Sequence, residues 1–71
     1  MTKKSINRIR VVLAESDRTN RWLATKLGKT EATISKWCGN KMQPSLETLT
    51  TIAQVLDVDI SELLNRTKED K

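Results

Sequence analysis

The sequence predicts an all-α fold of five short helices, and three observations lead to this prediction. Apolar residues recur three and four positions apart in five segments, which is the period of one helix face. No segment alternates apolar and polar residues with a period of two, so we expect no strand. Residues that cap or stop helices separate the five segments: Thr19, Gly28, Thr30, Asn40 and Ser45.

The first two helices each show one apolar face. Polar residues 16–18 end the first helix, and Thr19 is expected to cap the second by accepting from a free backbone N–H. The face of the first helix consists of Ile6, Ile9, Val12 and Leu13. The face of the second consists of Trp22, Leu23, Ala24 and Leu27.

The remaining three helices follow the same logic. Thr30 caps the third helix, whose inner face is Ile34 and Trp37 with Cys38 beside them. In the fifth, Asp59 and Glu62 resemble a capping box before Leu63 and Leu64. The fourth, capped by Ser45, has an apolar stripe of Leu46, Leu49, Ile52, Ala53 and Leu56.

The second and third helices are joined by only three residues, so we expect them to cross steeply as a helix-turn-helix. Close approach needs a small residue, Ala24, and the turn needs a left-handed one, Gly28. Ile34 supplies the branched aliphatic side chain between the helices, and Leu23 and Trp37 close the sides of this small core. This turn between the two helices directs the other face of the third helix outward.

Length and composition limit what the chain can be. Its 71 residues predict a single domain over 1–71, with a core at about 5–64 and a frayed polar tail at 65–71. Cys38 is the only cysteine, so no internal disulfide is expected. Since the sequence contains neither a long apolar run nor a convincing signal peptide, we expect a cytoplasmic protein with no membrane association.

Charge is distributed unevenly along the chain. Residues 1–41 carry ten Lys/Arg and three Asp/Glu, a net charge of +7. Residues 42–71 carry three Lys/Arg and six Asp/Glu, a net charge of −3. This division favours contact between the N-terminal part and a polyanion, and the alternative is ordinary surface charge that keeps the chain in solution.

The segment NRWLATKLGKTEATISKWCGNKMQPSLETLTTIAQVLDVDISELL resembles the Xre/Cro-type helix-turn-helix domains of bacterial and phage regulators. This resemblance implies a lambda-repressor-like domain whose third helix enters the major groove of DNA. The chain departs from the family pattern at four positions. Asn20 stands where Gln is frequent, Lys29 where a small aliphatic is common, and Cys38 and Asn40 where Glu and Gly are common.

The resemblance also implies which residues touch DNA. Base contacts are expected from three residues of the third helix, since Lys can donate to guanine, Glu can accept from cytosine N4 and Ala can touch a thymine methyl: Lys36, Glu31 and Ala32. Phosphate contacts are expected from Asn20, Thr30, Thr33 and Lys41. Weaker candidates are Arg21, Lys29, Ser35 and Gln43.

Several of these residues also have a purely structural interpretation. Glu31 can serve only to complement the helix dipole, and Lys36 can be a solvated surface charge. Cys38 is expected to be a buried filler and not a redox switch, and Trp37 to lie in the core. Trp22 is expected either to cover the first helix or to be partly exposed.

The residues predict binding and not catalysis. The chain has no His, its lone Cys has no evident base and no Gly-rich phosphate loop is present, so we expect no enzyme, no cofactor and no metal site. The leading prediction is a sequence-specific regulator that binds double-stranded DNA. The alternative is a protein-interaction domain, coactivator-like or partner-neutralising, that has kept the helical frame, and the charge division favours DNA.

A homodimer on a palindromic operator is expected, formed either in solution or only on DNA, because one short recognition helix reads few bases. The stripe from Leu46 to Leu64 and the tail are the expected interface. Small repressor, activator, phage regulator, restriction controller and antitoxin with a toxin partner all remain open as biological roles.

Overall fold

The computed structural model describes residues 5–66. They form four α-helices and a closing 3₁₀ helix: α1 (Ile9–Glu15), α2 (Asn20–Leu27), α3 (Glu31–Cys38), α4 (Leu46–Leu56) and the 3₁₀ helix (Ile60–Leu63). The predicted all-α fold is confirmed. Within residues 5–66 there is no strand, and extended pairing is limited to one antiparallel bridge between Asn7 and Leu64.

The predicted fifth helix is present as a four-residue 3₁₀ helix and not as an α-helix, and it ends at Leu63, so the prediction that Leu64 completes it is wrong. The Asp59 side chain accepts from the N–H of Ser61, two residues on, at 2.9 Å, and not from the residue that a capping box would use. Leu64 is already extended and pairs with Asn7. The chain therefore leaves the helix after one turn.

The core takes one completely buried side chain from each of the five elements. These are Ile9, Leu23, Ile34, Ile52 and Leu63, each 0% exposed. Trp37 and Cys38 join this cluster from α3, which confirms their predicted burial. Because a domain of this size has a thin core, every element contributes to the same cluster.

The predicted caps are present at three helix starts. Thr19, Thr30 and Ser45 each accept a hydrogen bond from the backbone N–H three residues later, which satisfies a donor that the helix leaves free. Gly28 at φ 67° and Asn40 at φ 58° are left-handed, as the sequence predicts. These residues set where α2 ends, where α3 begins and where the chain turns after α3.

Two apolar residues expected on inner faces are exposed. Ile6 is 56% exposed because α1 begins three residues later, at Ile9. Leu46 is 75% exposed; it is the first residue of α4, and the buried part of the stripe begins at Leu49. Ile6 precedes its helix and Leu46 opens its helix, so the helical spacing does not bring either side chain to the core.

The two ends of the described chain are paired with each other. The Arg8 N–H donates to the Leu63 carbonyl at 2.7 Å, and the Asn65 N–H donates to the Ile6 carbonyl at 2.9 Å. The Asn65 side chain also donates to the carbonyl of Ser5 at 2.9 Å. Asn65, the first residue of the predicted polar tail, is therefore hydrogen-bonded to the start of the described chain, and residues 67–71 of that tail lie outside the described range. No helix within residues 5–66 has the length and apolar character needed to cross a bilayer.

Candidate nucleic-acid interface

The candidate interface starts from the turn between α2 and α3. Gly28 is left-handed, and the Lys29 N–H donates back to the Ala24 carbonyl at 2.9 Å. Ala24 is buried in the same core cluster as Leu23 and Ile34. This arrangement is the predicted helix-turn-helix, and it places the N-termini of α2 and α3 close to each other.

The outward face of α3 carries the residues predicted to contact bases. Glu31, Ala32 and Lys36 are exposed, while the opposite face, Ile34 and Trp37, is buried. This division follows from the helical period, because residues 31, 32 and 36 lie within a little over a third of a turn around the axis. One face of α3 thus anchors the helix in the core, and the other is exposed to solvent.

The residues predicted to contact phosphates lie around that face. Thr30 is exposed and accepts from the Thr33 N–H at 3.1 Å, and the two hydroxyl oxygens lie 3.0 Å apart. Asn20 begins α2 and is half-buried, accepting from the Cys38 thiol at 3.6 Å. Lys41 is exposed after α3, and its N–H donates to the Lys36 carbonyl at 2.9 Å. They therefore occupy two helix starts and the loop that follows α3.

Among the weaker candidates, Gln43 already has internal partners. Its Oε1 accepts from Asn7 Nδ2 at 2.7 Å, and its Nε2 donates to Asn40 Oδ1 at 3.2 Å. Lys29 and Ser35, in contrast, are exposed beside the outward face of α3. Gln43 thus has a clear role within the fold, in the loop that follows α3.

Arg21 and Glu31 form an ion pair that the sequence pattern does not indicate. Arg21 Nε lies 2.9 Å from Glu31 Oε2, with the side chains 81% and 54% exposed. The hydrogen bond to Glu31 and its charge raise the pKa of Arg21, which is protonated in any case. The pair joins the second residue of α2 to the first residue of α3, across the turn.

A buried amide cluster holds the end of α3. Asn7 is 3% exposed, and its Nδ2 donates to the Trp37 carbonyl at 2.9 Å. Asn40 Oδ1 accepts from the N–H groups of Ile6 and Asn7, each at 2.9 Å. Sequence reasoning missed this cluster, because it assigned Asn40 only to a turn; an Asn at the start of an apolar helix pattern was the one available signal.

Cys38 and Trp22 fit their predicted roles. Burial raises the pKa of the Cys38 thiol, and the charge of Arg10 opposes this only in part, so the thiol behaves as a buried filler. Trp22 is half-buried. The Arg18 guanidinium lies 4.5 Å from its ring centroid and the Lys26 ammonium 5.7 Å, which gives the exposed part of the ring two cationic neighbours.

Comparison with known proteins identifies the same kind of domain. Residues 8–69 match the Cro/C1-type HTH DNA-binding domain. The chain is also similar to a crystal structure of a candidate DNA-binding protein from Bacteroides fragilis, with 60% sequence identity and a TM-score of 0.84. That alignment covers 84% of this chain and 97% of the other. No curated protein matches the chain.

Proposed function

Because the chain belongs to the Cro/C1-type HTH DNA-binding domain family, we propose that it is a sequence-specific transcriptional regulator with α3 in the major groove of double-stranded DNA. The observation that carries this proposal is the division of α3 into a buried face and an exposed face. The exposed face presents an acceptor, a methyl group and a donor, namely Glu31, Ala32 and Lys36. Side-chain groups of these three kinds can distinguish the base edges in the major groove.

Phosphate contacts hold the helix in register in this proposal. Thr30 and Asn20 lie at helix starts, where free N–H groups and hydroxyl or amide groups suit an anion. Thr33 is the third residue of α3, and Lys41 lies in the loop that follows this helix. The net charge of +7 over residues 1–41 supports the same orientation, because phosphates dominate the affinity of such complexes.

We propose that two copies bind a palindromic operator, since the eight residues of α3 span too few base pairs to define a site alone. Dimers of this kind place their half-sites about 34 Å apart. The fourth helix keeps exposed Leu46 and half-buried Val55, and half-buried Val58 and Ile60 follow it, so α4 and the segment after it have apolar surface for a partner. Repressor, activator, controller and toxin-binding antitoxin all share this DNA-binding step.

Selection of bound duplexes from a random pool tests the proposal. A palindromic consensus is expected, and sedimentation should give two protomers per selected duplex. With about four to six phosphate contacts per protomer, the slope of log K against log salt should be roughly −4 to −5 per protomer. Absence of any enriched duplex, or a slope near zero, would contradict DNA reading, whereas a 1:1 complex on an asymmetric site would contradict only the dimer.

A further inference from the structure

The ion pair between Arg21 and Glu31 lies where the proposed function brings DNA. Arg21 Nε and Glu31 Oε2 are 2.9 Å apart, and the two residues belong to the first turns of α2 and α3. Buried Leu23 and Ile34 fix these helices relative to each other. The pair is therefore held at a defined position beside the outward face of α3.

This ion pair contributes little to the stability of the fold. Exposed ion pairs contribute little to stability, and both side chains are mostly in solvent. Residues 1–41 contain only three acidic residues, and Glu31 is the one on the outward face of α3. A bare carboxylate there would meet the phosphates with repulsion, and Arg21 neutralises it.

The atoms that the pair leaves unused match a base and a phosphate. Within residues 5–66, the guanidinium of Arg21 hydrogen-bonds only to Glu31, through Nε, so both of its terminal NH₂ groups can donate to phosphate oxygens. Glu31 Oε1 is left to accept. A carboxylate accepts only, so it needs a base that offers an amine in the major groove. Cytosine offers N4 alone, whereas adenine places the N7 acceptor beside its amine.

We infer that Arg21 and Glu31 act as one reading unit for cytosine, an inference that rests on the proposed function. Glu31 accepts from cytosine N4. Arg21 is a positioning residue, because its planar group orients the carboxylate while its free NH₂ groups bind the adjacent phosphate. The specificity of this position therefore depends on a residue outside the recognition helix.

Relative affinities for the selected duplex and all its single-base variants test the inference. Glu31→Ala and Arg21→Ala should each reduce the preference for cytosine at the same position by about five- to tenfold. The double variant should relax it no further than Glu31→Ala alone, because coupled residues are not additive. Glu31→Gln should move the preference towards adenine, which pairs with a carboxamide through N6 and N7.

Two further variants separate positioning from charge. Arg21→Lys keeps the charge but not the planar fork, so it should keep the salt slope and still lose the cytosine preference. Lys26→Ala is the matched control: it removes one exposed positive charge from α2 and should leave every base preference unchanged. Circular dichroism melting of each variant confirms that the fold is retained.

Failure of this inference is distinguishable from failure of the proposed function. If Arg21→Ala weakens binding to all duplexes equally and the cytosine preference survives, Arg21 contacts phosphate only and the reading unit is wrong, while DNA reading stands. Preservation of the preference in Arg21→Lys would also overturn the positioning role. If the unaltered protein selects no duplex, both the inference and the proposed function are wrong.

Discussion

Asn7 and Asn40 hydrogen-bond to each other in both directions. Asn40 Oδ1 accepts from the Asn7 N–H at 2.9 Å, and Asn40 Nδ2 donates to the Asn7 carbonyl at 3.2 Å. The bonds join the segment before α1 to the turn after α3, where Asn40 has a left-handed φ of 58°. The backbone conformation at this position favours glycine, but glycine lacks the side chain that makes these hydrogen bonds.

Asn40→Gly is expected to lower the free energy of unfolding by about 1–2 kcal/mol, because the lost side-chain hydrogen bonds outweigh the relief of a left-handed Asn. Asn40→Ala should cost more, since it loses the same bonds and adds strain at positive φ. Urea unfolding of the three proteins measures both changes. A glycine variant as stable as the parent would show that Asn40 serves only the turn.

Asn7→Ala is expected to cost about 2–3 kcal/mol, because it leaves the Ile9 N–H without its acceptor and removes the donor that the Trp37 carbonyl shares with the Asn40 N–H. Asn7→Asp is the informative comparison: it keeps the acceptor for Ile9 but replaces the donor by a buried carboxylate that faces the Trp37 and Gln43 oxygens, so it should cost at least as much. Both should unfold at lower urea than the parent. A loss below about 0.5 kcal/mol in Asn7→Ala would mean that water replaces the amide without cost.

Gly28→Ala is expected to cost about 1 kcal/mol through backbone strain alone. An added Cβ would meet no atom within 4 Å, but φ is +67°. Gly39→Ala is the matched control, since φ is −84° there and the new Cβ would lie 3.4 Å from the Ser35 carbonyl oxygen. It should be neutral or slightly stabilising. Equal thermal midpoints for the two variants would contradict this explanation.

The Cys38 thiol should react slowly with iodoacetamide in the folded protein at pH 8. Cys38 is 7% exposed, and burial raises its pKa. Both the access of the reagent to the sulfur and the fraction of thiolate are therefore reduced. Since the folded state holds this proton more tightly, the stability contributed by the thiol is fully present below the unfolded pKa and is lost as pH rises through the higher, folded pKa. Mass spectrometry of the time course, with the urea-unfolded chain as control, measures the rate, and similar rates in both states would contradict burial.

The parts of the fold that the sequence predicts depend on near neighbours. Thr19, Thr30 and Ser45 each cap the backbone three residues on, so the composition of a short window contains all the necessary information. The left-handed turns at Gly28 and Asn40 are equally local. The helix-turn-helix follows from these signals because the three-residue connection leaves few alternatives.

The parts that sequence reasoning missed depend on distant residues. Asn7 and Asn40 are 33 positions apart, and Arg21 and Glu31 are ten positions apart. A short stretch of sequence therefore cannot show that the members of each pair are in contact. Ile6 has helical spacing to Ile9 but precedes the helix, because the chain there pairs with Asn65. Tertiary pairing at the chain ends overrides periodicity in the same way at Leu64.

The roles of Lys36 and Lys41 distinguish base reading from phosphate binding. Both side chains are exposed, and replacing either by Ala removes one positive charge from the protein. Neither substitution removes the hydrogen bond between the Lys41 N–H and the Lys36 carbonyl, because it is made by the backbone. Lys41→Ala should weaken binding to all sequences alike and make the salt slope shallower by about one per protomer.

Base preference in Lys36→Ala is the most direct test of whether α3 reads DNA. Affinities for the selected duplex and its single-base variants are measured at two salt concentrations, with Lys41→Ala as the control. Lys36→Ala is expected to cost about 1–3 kcal/mol on the selected duplex and to relax the preference at one position per half-site. Unchanged base preferences in Lys36→Ala would contradict a reading role for this residue on the outward face of α3.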